Sequence, residues 1–543
     1  MKDTAFRVAA LFSDDMVLQR DKPLPVWGTG RDGMRVTVVF GEARAETVVK
    51  KGVWLAVLPP VPAGRTGCLE VMSEGAALCF TNVVSGDVWF AGGQSNMELE
   101  LQNGKDGKAE LAASANPGIR FYPMVKRAVV DEAYLRAEAE TSWQVCGPDT
   151  AAPLSAVAYF FAREVNRETG VPIGIISCSW GGTSVSAWMS EEQLCRTRAG
   201  ARYVAEYAAL VAGKSDAQYQ AEMGAYFRDW KAWDSRVRAR REKDPAVTWE
   251  TLNRECGECP WPQPAGSTSP YRPANLYHAM VRRALPFALA GFLYYQGEED
   301  GPRAADYGEM MCYLIDQWRT DWGDDTLPFL FVQLPMYASR ADLAEGLTVM
   351  DWPLLRENQW RVSRRIAHTG LAVTIDCGEF DNIHPLDKQT VGHRLALQAL
   401  QKVYGKPVAA DGPQFLRIEP AAGDGLRIWF TGAETGLEWR GDPAGFEIAG
   451  EDGVYHAAEA EIDGSTVVIR SEKVEAPEQC RYAWIKWGPT PLYAKNGLPA
   501  MPFRHLPWRP LGGLWGNDYR GPILGQKASR LDCFVGKPPR NDG

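Results

Sequence analysis

The 543-residue chain has no unbroken apolar run of about 18 residues, the length a membrane-crossing helix needs. Its first residues, MKDTAFRVAALFSDDM, lack a basic start, a long apolar stretch and a cleavage site, so no secretion signal is read and the chain as it stands is expected in the cytoplasm. An excess of positive charge is missing too. Against 68 Asp and Glu stand 59 Lys and Arg, a net charge of −9, which offers no basic footprint for nucleic acid or an anionic membrane. Neither is an expected partner, and a small neutral or acidic molecule remains open. The 11 cysteines are an odd number scattered singly through apolar segments, as at Cys79, Cys178, Cys312 and Cys377, the pattern of reduced core thiols. The one close pair, Cys256 and Cys259 in RECGECPW, has neither a second pair nor a nearby His, so no zinc is expected there. Histidine is scarce, with six in all, so each can be weighed by itself.

The length suggests about three domains. Residues 1–82 alternate short apolar runs with Gly, Pro and Asp turns, which predicts a β-sandwich. From 83 to 403 apolar strands alternate with longer helical stretches, which predicts an α/β domain with a largely parallel sheet and a ligand crevice at the carboxyl ends of its strands. Within it, residues 190–272 are first Ala-rich and charged, then rich in Pro, Gly and Cys; they read as a helical and loop insertion beside the site, a candidate lid. Period-two patterning returns over 404–503 as a second β domain, and 504–543 form a Pro-, Gly- and Trp-rich tail. Most of the 20 Trp are assigned to cores and domain contacts, with stacking on a sugar as the alternative.

The chain is organised around DVWFAGGQSNMELE, residues 87–100. An apolar strand runs into Gly92 and Gly93, which permit backbone conformations closed to other residues and leave the next hydroxyl unshielded. Ser95 then opens a helix, whose free N–H groups lie where negative charge develops during attack on a carbonyl. The bland alternative is an N-cap serine. The Gly-x-Ser-x-Gly elbow is absent, because Met97 stands at the second glycine. A nucleophilic serine needs a base, and the base needs a carboxylate to fix its tautomer. Of the six histidines only His384 follows a sheet strand with an acid, Asp381, three residues before it. Oxyanion donors are sought at three strand ends: the Ser95 N–H, the N–H of Gly181 or Gly182, and the side-chain amide of Gln296.

Four blocks then carry a resemblance: GQSNME (93–98), SWGGTSVSAWMS (179–190), YYQGE (294–298) and IHPLDKQTVGHRLA (383–396). With LFSDDMVLQRDKPLPVWG (11–28), GFEIAG (445–450) and NGLPAMPFR (496–504) in the same order, the chain resembles the sialate O-acetylesterase family of SGNH-type hydrolases. The resemblance implies a flavodoxin-like three-layer αβα sandwich flanked by N- and C-terminal β domains. It implies removal of acetyl groups from sugar hydroxyls without metal or cofactor, O-acetylated sialic acid being the leading substrate. Ser95 matches the nucleophile, Asp381 and His384 the acid and base, and Gly182 with Gln296 the oxyanion contributors. Gln94, Trp180, Glu298 and His278 are substrate-binding candidates, and Trp188 is a further aromatic that could face the sugar.

Three departures from the family pattern stand out. Glu299 and Asp300 replace a small residue and Asn after Gln-Gly-Glu, His278 replaces an Asn in LYHAM, and no secretion signal is visible. An ionised Asp cannot donate the hydrogen bonds of an Asn amide. Two other readings stay open: an esterase for acetylxylan or another plant polysaccharide, and a catalytically silent carbohydrate-binding protein.

Overall fold

A computed structural model describes residues 6–244 and 247–506. Apart from 504–506, the tail expected from residue 504 lies outside the described residues. The middle of the chain forms one sheet from β1 (Ala76–Gly93), β2 (Asn116–Pro123), β3 (Gln144–Cys146), β4 (Ile173–Ser179), β5 (Gly291–Tyr295), β6 (Phe329–Gln333) and β7 (Thr369–Val373). Their spatial order is β3-β2-β4-β1-β5-β6-β7. All neighbours are parallel except β3, which is antiparallel to β2. The chain leaves β1 to one side, returns beside it with β4, and continues on the other side from β5. The crevice of such a sheet therefore opens at the carboxyl end of β1.

Register fixes what meets there. Gly93 pairs with Ser179 on one side and with Tyr295 on the other, so three strands end in one row. The residues after them, Ser95, Trp180 to Gly182 and Gln296, emerge at the same edge.

The helices that cover the sheet or border the crevice include α1 (Ser95–Glu98), α2 (Ala156–Thr169), α3 (Arg198–Leu210), α4 (Asp216–Lys243), α5 (Trp249–Cys256), α6 (Ala304–Trp322), α7 (Asp351–Arg365) and α8 (Lys388–Lys402). Trp89 and Phe90 are successive in β1 and so point to opposite faces. Trp89 meets Phe161 of α2 at 5.1 Å between ring centroids, and Phe90 meets Trp318 of α6 at 5.4 Å. Since α2 packs on α8 and α6 on α7, the sheet is covered on both faces, which is why its central strands are apolar throughout. The stop signal expected at Gly170 is present: α2 starts with Ser155 accepting from the Ala158 N–H at 3.2 Å and ends at Gly170 with φ +70°.

The N-terminal region is β as expected, with alternation that is clearest in Val53–Leu58, where Trp54, Ala56 and Leu58 are buried and Val53, Leu55 and Val57 exposed. The boundary expected at 82–83 falls inside β1, which runs unbroken from pairing with Thr66–Ser73 to pairing with β4 and β5. Residues 414–505 form the second β region, which docks on α7 through Trp484, whose indole N–H donates to Glu357 at 2.9 Å. Residues 190–272, expected as an insertion, contain α3 to α5 and the loop after them. Nine cysteines are free thiols, Cys256 and Cys259 among them, whereas Cys195 is disulfide-bonded, so the expectation of reduced thiols does not hold for Cys195. Among the described residues no helix is long and apolar enough to cross a membrane.

Candidate active site

Gly93 shapes the turn that carries Ser95, the candidate nucleophile. Its φ is +132°, and a Cβ there would lie 2.1 Å from the Tyr295 carbonyl oxygen, so only glycine lets β1 approach β5 this closely before the turn. Gln94 comes next, 3 % exposed; its side-chain oxygen accepts from Gln296 Nε2 at 3.2 Å and from the N–H groups of Gly297 and Glu299 at 3.3 Å each. Gln94 therefore ties the β1 turn to the β5 turn through its side-chain oxygen. Ser95 is the first residue of α1.

Across the crevice, the loop after β7 carries His384. Its Nε2 lies 2.7 Å from Ser95 Oγ. Two residues of the loop brace it. The Asn382 side chain accepts from the His384 N–H and donates to the His384 carbonyl, both at 3.0 Å. Glu379 accepts from Asn382 at 2.8 Å and from the Leu386 N–H at 2.7 Å. Burial, with a smaller contribution from the Lys388 ammonium, pushes His384 down to about 4, so the imidazole is neutral and able to accept a proton at pH 7.

Asp381 is placed differently from the expectation. It sits at φ +55°, and its carboxylate accepts from the Arg340 N–H at 3.2 Å and from Asn253 Nδ2 at 3.3 Å, with the Arg340 guanidinium at 3.3 Å. No hydrogen bond joins it to His384 among the described residues.

The oxyanion candidates divide in the same way. The Gly181 N–H donates to Glu98 Oε2 at 2.6 Å, and Glu98 is paired with Lys126. Gln296 Nε2 donates to the Thr183 carbonyl at 3.1 Å, to Gln94 and to Asp300, while its Oε1 is buried without a partner. Both are committed to holding the turns together. The N–H groups of Ser95 and Gly182 have no protein acceptor among the described residues, and Gly182 takes φ +70°.

Behind Ser95 lies a buried charged group. Asn96, fully buried, donates to Glu298 Oε1 at 2.5 Å and to the Ile383 carbonyl at 2.9 Å, and accepts from Lys388 Nζ. Lys388 lies over the Tyr295 ring at 5.4 Å; burial brings its ammonium down to about 8 although Glu298 acts the other way. Glu298 is 7 % exposed and raised by the same burial.

A family profile described as carbohydrate esterase, sialic acid-specific acetylesterase matches residues 85–249 and 262–401. The chain belongs to this family. Sialate O-acetylesterase of Mus musculus is 28 % identical over 457 residues, 78 % of each chain, and that of Homo sapiens is 26 % identical over 544 residues, 92 % of each. The crystal structure of a carbohydrate acetylesterase from Xanthomonas citri superposes with a TM-score of 0.71 at 32 % identity, covering 93 % of this chain and 100 % of that one. Membership makes the protein a carboxylic-ester hydrolase of the carbohydrate acetylesterase class.

Within this esterase fold Glu298, His278 and Trp188 sit away from the crevice. Glu298 lies behind Ser95. His278 is exposed and pairs with Glu191 at 2.5 Å, joining none of the groups around Ser95. Trp188 is fully buried, donating to Thr183 Oγ1 at 3.0 Å. Trp180 is half-buried, with Lys126 at 5.2 Å over its ring. Of the family departures, Asp300 is fully buried and accepts from Tyr203, the Val185 N–H and Gln296, so its carboxylate is an internal acceptor. Burial beside Asp300 pushes the half-buried Glu299 up to about 7. Asn96, Asn382 and Lys388 were not singled out from the sequence. The first stands directly after Ser95 and the other two lie within four residues of His384, which is the only signal they gave.

Among the described residues no group of three or more His, Cys, Asp or Glu side chains is placed to hold a metal ion.

Proposed function

We propose that the protein removes acetyl groups from sugar hydroxyls through an acetyl-Ser95 intermediate, on an SGNH-type site, with O-acetylated sialic acid as the leading substrate. The observation that carries this reading is the 2.7 Å approach of Ser95 Oγ to a His384 held neutral. His384 Nε2 takes the Ser95 proton as Oγ attacks the acetyl carbonyl, and the tetrahedral oxyanion forms beside the Ser95 and Gly182 N–H groups. Collapse of that intermediate breaks the bond to the sugar oxygen, which takes the proton from His384. A water then gives its proton to His384 and attacks the acetyl-enzyme, releasing acetate and restoring Ser95. Asp381 is assigned the acid's place behind His384, which requires its release from Arg340 and Asn253. The Xanthomonas citri relative is described in the wider terms of a carbohydrate acetylesterase, which favours acetyl esters of another carbohydrate as the second reading.

Hydrolysis of p-nitrophenyl acetate and of the butyrate ester by the wild type and by Ser95→Ala tests this. The wild type is expected to prefer acetate, and Ser95→Ala, still folded, to lose roughly 10⁴-fold in kcat. Equal activity of the two proteins would remove Ser95 from the mechanism.

A further inference from the structure

The family match leaves out residues 250–261, yet this segment reaches Gly182 at the strand end beside Ser95. Trp261 lies on Gly182: a Cβ on that glycine would be 2.0 Å from the indole ring, and one on neighbouring Gly181 would be 3.3 Å from Ser95 Cβ. The indole covers Gly182, whose neighbour Gly181 faces Ser95, and it remains 47 % exposed. An exposed tryptophan alone is unremarked on most surfaces. Here the loop on either side of it is hydrogen-bonded to helices while about half of the side chain stays open to solvent.

Tyr226 donates to the Pro260 carbonyl at 3.1 Å, and the Trp233 indole to the Gly257 carbonyl at 2.7 Å. Farther along the same loop Tyr207 and Gly266 exchange hydrogen bonds of 2.9 and 3.1 Å. Tyr271 meets Trp261 edge-on, at 5.5 Å and 90°. The donors come from α3 and α4, so the insertion acts as a scaffold that fixes an aromatic wall beside Ser95.

We propose that Trp261 is a sugar-binding platform, on which the apolar C–H face of a pyranose ring rests while its acetyl ester meets Ser95. The inference rests on the esterase reading above and assigns the substrate side of the same site to the insertion. A large aromatic surface fixed in advance binds a ring without the entropy loss of ordering a loose loop. The indole also covers Gly182, so a packing role alone is the competing account.

Two esters separate the accounts: ethyl acetate, which has no ring, and a methyl xylopyranoside carrying one O-acetyl group, with acetate release followed by titration. In Trp261→Ala the ratio of kcat/KM for the glycoside to that for ethyl acetate is expected to fall at least tenfold, chiefly through KM, and Trp261→Phe should restore most of it. Equal losses on both esters would overturn the proposal and leave Trp261 as a cover for Gly182.

Binding of methyl xylopyranoside is read separately by saturation-transfer NMR on folded Ser95→Ala, with and without Trp261→Ala. Loss of ring-proton transfer on removing Trp261 supports the platform even if no ester is cleaved, in which case the esterase reading alone fails. Transfer that persists unchanged overturns the platform.

Discussion

Asn253, on α5 of the insertion, donates from its side-chain amide to the backbone oxygen of Asp381 at 2.9 Å and to its carboxylate at 3.3 Å. Together with Arg340 it holds the expected catalytic acid away from His384, although His384 and Ser95 are already joined. If Asp381 serves as the acid, Asp381→Asn should lower kcat on p-nitrophenyl acetate by about 10³- to 10⁴-fold. A loss below tenfold would leave Ser95 and His384 working as a dyad.

If His384 is the base, it sets the pH profile. A base must be neutral to act, and a group pushed down to about 4 stays neutral far below the ordinary histidine range near 6.5. The acid limb of kcat/KM should therefore lie near pH 4. Replacing the buried ammonium in Lys388→Met removes a charge that disfavours the imidazolium, while Glu379, Asp381 and Asp387 on the same loop remain, so the limb should move to higher pH. A limb near 6.5 in the wild type, or one that Lys388→Met leaves in place, would contradict this account.

Asn96 joins α1, the Ile383 carbonyl, Glu298 and Lys388 within one buried group. Asn96→Ala strands a buried carboxylate and ammonium without their bridge, which should cost about 3 kcal/mol. Urea unfolding would show it as a lower midpoint at unchanged slope. A change under about 0.5 kcal/mol would mean that water replaces the amide.

Gly93→Ala should be worse than an ordinary glycine replacement. The methyl group meets the Tyr295 carbonyl at 2.1 Å and the backbone is at φ +132°, so a loss of about 3 kcal/mol or more is expected, with activity falling because Ser95 shifts. Thermal unfolding and p-nitrophenyl acetate turnover measured together would check both parts; wild-type values in both would show that the strand can give way.

The sequence by itself determined the elements that depend on local pattern. Gly170 closes α2, Lys388 opens α8, and the apolar runs of β4, β5 and β6 are strands because each is buried on both faces. It also singled out Ser95 and His384, since a glycine turn after a strand and a histidine after another strand are both visible in one dimension. What only the tertiary structure decided is where hydrogen-bonding capacity is spent. Gln296 and the Gly181 N–H stand at the right strand ends, but their donors are taken by Thr183, Asp300 and Glu98, which are separated from them in sequence or joined by turns whose geometry the pattern does not encode. Asp381 keeps the right spacing to His384, yet its carboxylate is held by Arg340 and by Asn253, 128 residues away in sequence. Trp261 gave no sign of its place, because its position against Gly182 depends on α3 and α4 holding a loop that has no periodicity of its own. Spacing along the chain selects which groups can meet; competition among buried donors and acceptors, settled only in the packed fold, decides which do.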